Sequence, residues 1–192
     1  MTKSRHSFRL EMVSRTCLTV FKVSIYFSEK IIHAAFSVVC FYPSSGRFPS
    51  TMFVNHYAFY DTETTGNKPT EDDIISLGCA LCTYNGHQFE KLDEFHSYVD
   101  TDRKIDPAAQ AVHHISKQMI RGQPKFPEMM KVFRTFLMQH QTSPHTRLIF
   151  IAHNGSKFDD IVLYCNFVQQ NLNFDMFLRD VHCYGFLDTL KY

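Results

Sequence analysis

Two carboxylates two residues apart close an apolar run in Phe59-Tyr60-Asp61-Thr62-Glu63-Thr64-Thr65-Gly66. Residues i and i+2 of a strand point to one face, so Asp61 and Glu63 would project together with Cα atoms about 6.5 Å apart. Side chains of unequal length can converge there on a shared point, and two like charges that converge call for a cation. An isolated Asp-x-Glu is more often a pair of solvated acids on an exposed strand. Context argues for the first reading. Phe53, Val54, Tyr57, Ala58, Phe59 and Tyr60 make the strand apolar enough to be buried, and Thr64-Thr65-Gly66 turns the chain away at a strand end, where sites are built.

A third acid lies far along the chain. Leu148-Ile149-Phe150-Ile151-Ala152 is an apolar run of strand length, the pattern of a strand buried on both faces. His153-Asn154-Gly155-Ser156-Lys157-Phe158-Asp159-Asp160 comes next, then a helix with Ile161, Leu163, Tyr164, Phe167 and Val168. Asp159 thus falls in the first turn of a helix leaving a central strand. On its own it is an acid favoured there by the helix dipole.

The elements that must position these acids read as an α/β domain. Residues 73–84 form a second strand, Asn85-Gly86 suits a two-residue hairpin turn, and residues 87–99 form a third strand, completing an antiparallel meander. Asp106-Pro107 reads as an N-cap followed by proline at the first helical position. Ser116 can cap another helix, and Pro127 opens a longer one whose Met129, Met130, Phe133 and Leu137 form a core stripe. A last strand over residues 184–187 runs into Asp188-Thr189-Leu190, with Asp188 read as the cap of a final helix.

At 192 residues and 44% hydrophobic, the chain is long enough for one domain with a real core. Residues 1–51 carry seven Lys and Arg against two acids, which leaves the remainder net acidic. Divalent cations bound to carboxylates would reverse the local field, so this does not exclude nucleic acid. It does argue against nonspecific coating of duplexes. Residues 1–51 are rich in aromatic and β-branched residues without a lasting period, and no run reaches the ~20 apolar residues of a membrane span. They read as an N-terminal extension without an assigned role, and residues 52–192 as the functional domain, starting near Met52. The six cysteines read as free thiols of a reducing compartment, with Cys79 and Cys82 pointing to opposite faces of one strand.

Together these stretches resemble the DnaQ-like exonucleases of the DEDD superfamily. Asp61-Thr62-Glu63-Thr64-Thr65-Gly66 resembles the family's first motif, and His153-Asn154-Gly155-Ser156-Lys157-Phe158-Asp159 its second. Residues 107–116 resemble the intervening helix and turn, and Phe186-Leu187-Asp188-Thr189-Leu190 the strand and helix start beyond the second motif. The resemblance covers residues 53–192. It implies a ribonuclease-H-like fold with a mixed sheet and hydrolysis of phosphodiesters at 3′ ends, with release of nucleoside monophosphates.

It further implies a two-metal site of Mg²⁺ or Mn²⁺. Asp61 would bridge both metals, Glu63 would bind the water-activating one and Asp159 would hold the other. The backbone of Thr64, Thr65 and Gly66 would pack against the terminal nucleotide, and Asn154 would act just behind the site. Implied partners are single-stranded DNA or RNA 3′ ends, with a polymerase or a second copy as protein partner and no membrane. The implied compartment is the cytoplasm or the nucleus.

The family's third motif, of the type with a His and an Asp five positions later, supplies the general base and a fourth carboxylate. It is expected beyond Asp188, and the sequence ends at Tyr192. His56 and Asp61 share that spacing but only overlap the first motif. Losing the base costs about 10² to 10⁴ in rate. The expectation is therefore a C-terminally truncated domain of weak or no activity as it stands. The alternative is a catalytically dead module that binds 3′ ends or a protein through the same groove.

Overall fold

The computed structural model describes residues 53–190 and, before them, the backbone of strands β1 (Leu10–Arg15), β2 (Leu18–Phe27) and β3 (Lys30–Val38). These three pair antiparallel in their own sheet, order β1-β2-β3. The aromatic and β-branched residues that showed no lasting period in the sequence are those that strands favour. The domain start at Met52, Cys17 and Cys40 lie outside the described residues.

The meander forms as read, with strands β4 (Val54–Thr64), β5 (Ile74–Tyr84) and β6 (Phe89–Tyr98). After it come helices α1 (Pro107–His113), α2 (Lys117–Ile120) and α3 (Phe126–Gln139), then strand β7 (Thr146–Ala152). A single 3-10 turn (Gly155–Lys157), α4 (Asp159–Gln169), α5 (Phe174–Asp180) and β8 (Cys183–Asp188) complete it. The sheet order is β6-β5-β4-β7-β8, antiparallel within the meander and parallel from β4 to β7 to β8. Among the described residues no helix is long and apolar enough to cross a membrane.

Strand alternation divides the core between the two faces of the sheet. Ala58, Tyr60, Leu148 and Phe150 pack with Met129, Met130, Phe133 and Leu137 of α3, Val162, Leu163 and Phe167 of α4, and Phe177 of α5. Each of the Leu, Val, Phe and Met side chains among them contributes about 1.5–3 kcal/mol when taken from water. The opposite face holds a second cluster of Phe59, Ala80, Cys82, Phe89 and Ile151. Cys79 lies in the first cluster and Cys82 in the second, both as free thiols, as their odd spacing requires. Burial pushes both thiols up, that of Cys82 to about 12.

Three local details differ from the sequence reading. The Asn85-Gly86 connection is a four-residue loop, because Tyr84 still pairs with Phe89. Asn85 Oδ1 accepts from the amides of His87 and Gln88 at 2.9 and 3.0 Å, so its side chain builds the turn that a second positive-φ residue would otherwise make. Helix α5 has no counterpart in the sequence reading. It is seven residues long, and its one local signal is Asn173, whose Oδ1 caps the Met176 amide at 2.8 Å. Strand β4 carries both acids, as read, but extends one residue further, to Thr64, with a register shift between Glu63 and Thr64 where the chain begins to turn. Of the helix read after Asp188, Thr189 and Leu190 form a turn, and the residues beyond them lie outside the described residues.

Candidate active site

Alternation along β4 sets the geometry of the first motif. Ala58 and Tyr60 face the helices, whereas Phe59 faces the other way, and Asp61 and Glu63 continue the Phe59 face. The two acids are half-buried at the end of the sheet, opposite Gly78 and Ser76 of β5. Thr62, between them, faces α4 and is buried.

That intervening threonine fixes the third acid. Asp159 Oδ1 accepts from the Thr62 amide at 3.0 Å and from the Thr62 hydroxyl at 2.7 Å. The next residue repeats the arrangement one strand period earlier, because the Tyr60 hydroxyl donates to Asp160. The first turn of α4 is thereby fastened to alternate residues of β4. Asp159 is only 4% exposed. Burial, against the opposing effect of the two Thr62 bonds, pushes its carboxyl up to about 6, and Asp160 adds to the rise. A carboxylate held in so poorly solvated a place is one that a cation would relieve.

Glycine is required in the turn between β7 and α4. A Cβ on Gly155 would stand 2.9 Å from the Ala152 Cβ and 2.9 Å from Asp160 Oδ1, the oxygen that receives the Tyr60 hydroxyl. Gly155→Ala should therefore cost about 1–3 kcal/mol, as overpacking does elsewhere. A fall in the urea midpoint at unchanged slope would show it. Beside this glycine, Asn154 sits at φ 59, in the left-handed region that asparagine tolerates. Its Oδ1 is buried without a hydrogen-bond partner.

The turn after β4 is held separately. The Thr65 hydroxyl and the Lys68 amide both donate to the Asp72 carboxylate at 2.8 Å, and a Cβ on Gly66 would come within 2.5 Å of that group. The Asp106 amide donates to the Thr65 carbonyl at 2.7 Å, which brings the start of α1 against the same turn. Asp106 in turn caps α1 through the Ala108 amide at 2.8 Å, with Pro107 at the first helical position, as the sequence reading has it.

The far end of β8 closes the arrangement. Asp188 is 6% exposed and accepts from the Leu190 amide at 2.9 Å, within the turn that follows β8. It also accepts from the Ser156 hydroxyl at 2.5 Å and the Ser156 amide at 3.2 Å, inside the turn before α4. Burial alone would raise its carboxyl. The bonds from the Ser156 side chain and from nearby amides outweigh that and hold it below the usual carboxylate range.

Asp61, Glu63 and Asp159 thus share one end of the sheet, Asp159 meeting β4 at the residue between the other two. Among the described residues, however, no three His, Cys, Asp or Glu side chains close around one point. The donor chemistry still suits a hard divalent cation: carboxylate oxygens throughout, one of them poorly solvated. Sequence reasoning missed Thr62, Tyr60 and Ser156 as partners of the acids. The alternation of β4 could have indicated Thr62 and Tyr60, since both must face the helix that leaves β7.

Comparison with known proteins bears on the fold and the family. The model of a family described as Exonuclease matches residues 58–190. The DNA polymerase III subunit epsilon of Treponema pallidum is 31% identical over 103 residues, 53% of this chain and 42% of that protein. The 3′-5′ exonuclease DinG of Staphylococcus aureus is 32% identical over 98 residues, 51% of this chain and 10% of that protein. The chain therefore spans less than half the length of these relatives. Among solved structures, the zinc-bound Escherichia coli Exonuclease I complex with single-stranded DNA superposes with a TM-score of 0.53 at 19% identity, over 70% of this chain and 28% of that one. Apo Exonuclease I gives 0.55 at 19% identity, over 71% and 29%. At this identity the likeness shows a shared fold, the mixed α/β sheet of ribonuclease-H-like exonucleases. With the family model spanning both motifs and the relatives it brings together, the chain belongs to the exonuclease family, in its DnaQ-like DEDD branch.

Proposed function

We propose that this chain carries the metal-binding and nucleotide-binding part of a 3′-5′ exonuclease that hydrolyses phosphodiesters at the 3′ ends of single strands. One observation supports this above the others. A buried acid from α4 is fastened to the residue between two acids of β4, 97 positions away in sequence, so that three carboxylates occupy one end of the sheet. An ordinary solvated pair needs no such partner.

Asp61, Glu63 and Asp159 would hold the cations, with Mg²⁺ or Mn²⁺ as the ions suited to all-oxygen donors. When bound, two such ions polarise the phosphate, make water a nucleophile at neutral pH and stabilise the leaving 3′ oxygen. The chain's own part is positional. Thr62 steers Asp159 through Oδ1, and the β4 alternation sets Asp61 and Glu63 side by side. The Thr64–Gly66 turn, braced by Asp72 and by α1, offers backbone for the terminal nucleotide to lie against. The unpartnered Oδ1 of Asn154 can accept from a nucleotide or an ordered water, which would recover about 1–3 kcal/mol of desolvation cost.

A 5′-labelled single-stranded oligonucleotide incubated with excess chain and Mn²⁺ over hours, to allow for the loss of about 10² to 10⁴ in rate expected without the third motif, should yield a ladder that shortens from the 3′ end. Chelator should stop it and excess Mn²⁺ restore it. Binding of the oligonucleotide without shortening at any metal concentration would instead favour the 3′-end-binding module. A polymerase partner is supported only by the likeness to an epsilon subunit, and DNA rather than RNA only by the Exonuclease I complexes.

A further inference from the structure

We propose that Asp188, together with Thr189, is a positioning device that sets the turn carrying Asn154 and Asp159. The proposal rests on the exonuclease reading of Asp159 and assigns to the end of β8 a role beyond capping the Leu190 amide.

The turn between β7 and α4 is short and weakly self-supported. Its internal bonds are Lys157 and Phe158 amides to the Asn154 carbonyl at 3.0 and 3.1 Å, and Phe158 to Gly155 at 3.0 Å. Two successive residues, Asp188 and Thr189, restrain it further from the end of β8. Thr189 holds the entry: its amide donates to the Ala152 carbonyl at 3.1 Å, and its hydroxyl lies 2.9 Å from His153 Nδ1. Asp188 holds the exit through the two Ser156 donors at 2.5 and 3.2 Å. The grips fall on either side of Asn154 and Gly155, three residues before Asp159.

A cap alone would not need this arrangement. One carboxylate oxygen, Oδ1, suffices for the Leu190 amide, whereas both Ser156 bonds fall on Oδ2. Asp188 is also buried, and a buried acid with three donors is costly unless each bond is kept. The division between the two oxygens separates the two roles experimentally. Asp188→Asn can keep Oδ1 as acceptor for Leu190 while replacing the Ser156 acceptor by an amide donor.

The Thr62 amide, hydrogen-bonded to Asp159, reports the position of that acid without any metal. Nitrogen-15 spectra of the 192-residue chain should show the Thr62 resonance displaced in Asp188→Asn, and displaced less, in the same direction, in Ser156→Ala. Ser156→Ala removes only the hydroxyl bond, so it tests the proposal even if the Asp188 variant does not fold. In Mn²⁺ titrations followed by the free-ion paramagnetic signal, Asp188→Asn should bind about 10- to 100-fold more weakly, as when the group orienting a ligand is lost. Changes confined to Leu190 and Ser156, with Thr62 unmoved, would overturn the proposal. So would unchanged Mn²⁺ affinity in a folded variant. If the unsubstituted chain binds no Mn²⁺, the metal reading of the site fails, and the Thr62 resonance still decides the positioning role.

Discussion

A chain carrying Asp61→Ala should shorten a labelled single strand at least about 10³-fold more slowly than the unsubstituted chain. The cations that Asp61 would help hold supply several kcal/mol of charge stabilisation in the transition state, and about 4 kcal/mol corresponds to three decades in rate. Asp61 is half-buried at the end of β4 and belongs to neither apolar cluster, so its removal should leave the fold in place. Circular dichroism and the thermal midpoint should therefore stay near those of the parent while turnover disappears. Equal cleavage by the two proteins would mean that the activity does not pass through Asp61.

Asp159→Asn, by contrast, should raise stability. Its carboxyl titrates at about 6 in the folded chain against an ordinary value of 3.8, so between those values the folded state holds a proton that the unfolded state has lost. Stability is then fully present below about pH 4 and falls as pH rises through 6. The difference amounts to about 2–3 kcal/mol at neutral pH. Asparagine presents an oxygen to the two Thr62 donors and carries no charge to desolvate. The metal-free variant should therefore unfold about 5–10 °C higher than the parent at pH 7.5, and the gap should close towards pH 4. Added Mn²⁺ should raise the midpoint of the parent and leave the variant unmoved. A variant less stable than the parent at every pH would show that ionised Asp159 is a stabilising partner of Thr62 instead.

These two acids also show how much was legible in the sequence. Asp61 and Glu63 could be placed because strand alternation is strictly local: the apolar residues before them fix the face on which they lie. The start of α1 was legible for the same reason, Asp106 and Pro107 acting within one turn. The environment of Asp159 was not legible, since its burial and its bonds depend on a strand 97 positions away. Ser156 and Asp188 each looked like an ordinary turn or cap residue until β8 lay beside β7. Helix α5 was missed because seven residues with one asparagine cap give too few turns for a period to show, and tertiary packing of Phe177 decides the matter.

The fastening of α4 to β4 has a consequence for the order in which the molecule comes together. The β4–β5–β6 meander can form from neighbouring sequence, but the parallel pairing of β4 with β7 and the bonds from Thr62 to Asp159 must wait for a long closure. Contacts of such sequence separation slow folding, because the entropy of closure comes before its reward. On this argument the meander should form first, and the third carboxylate should arrive only once β7 and the helix after it have joined the sheet. On the proposed reading, metal affinity would be the last property the folding chain acquires, and a refolding experiment with Mn²⁺ should see it appear after the sheet signal rather than with it.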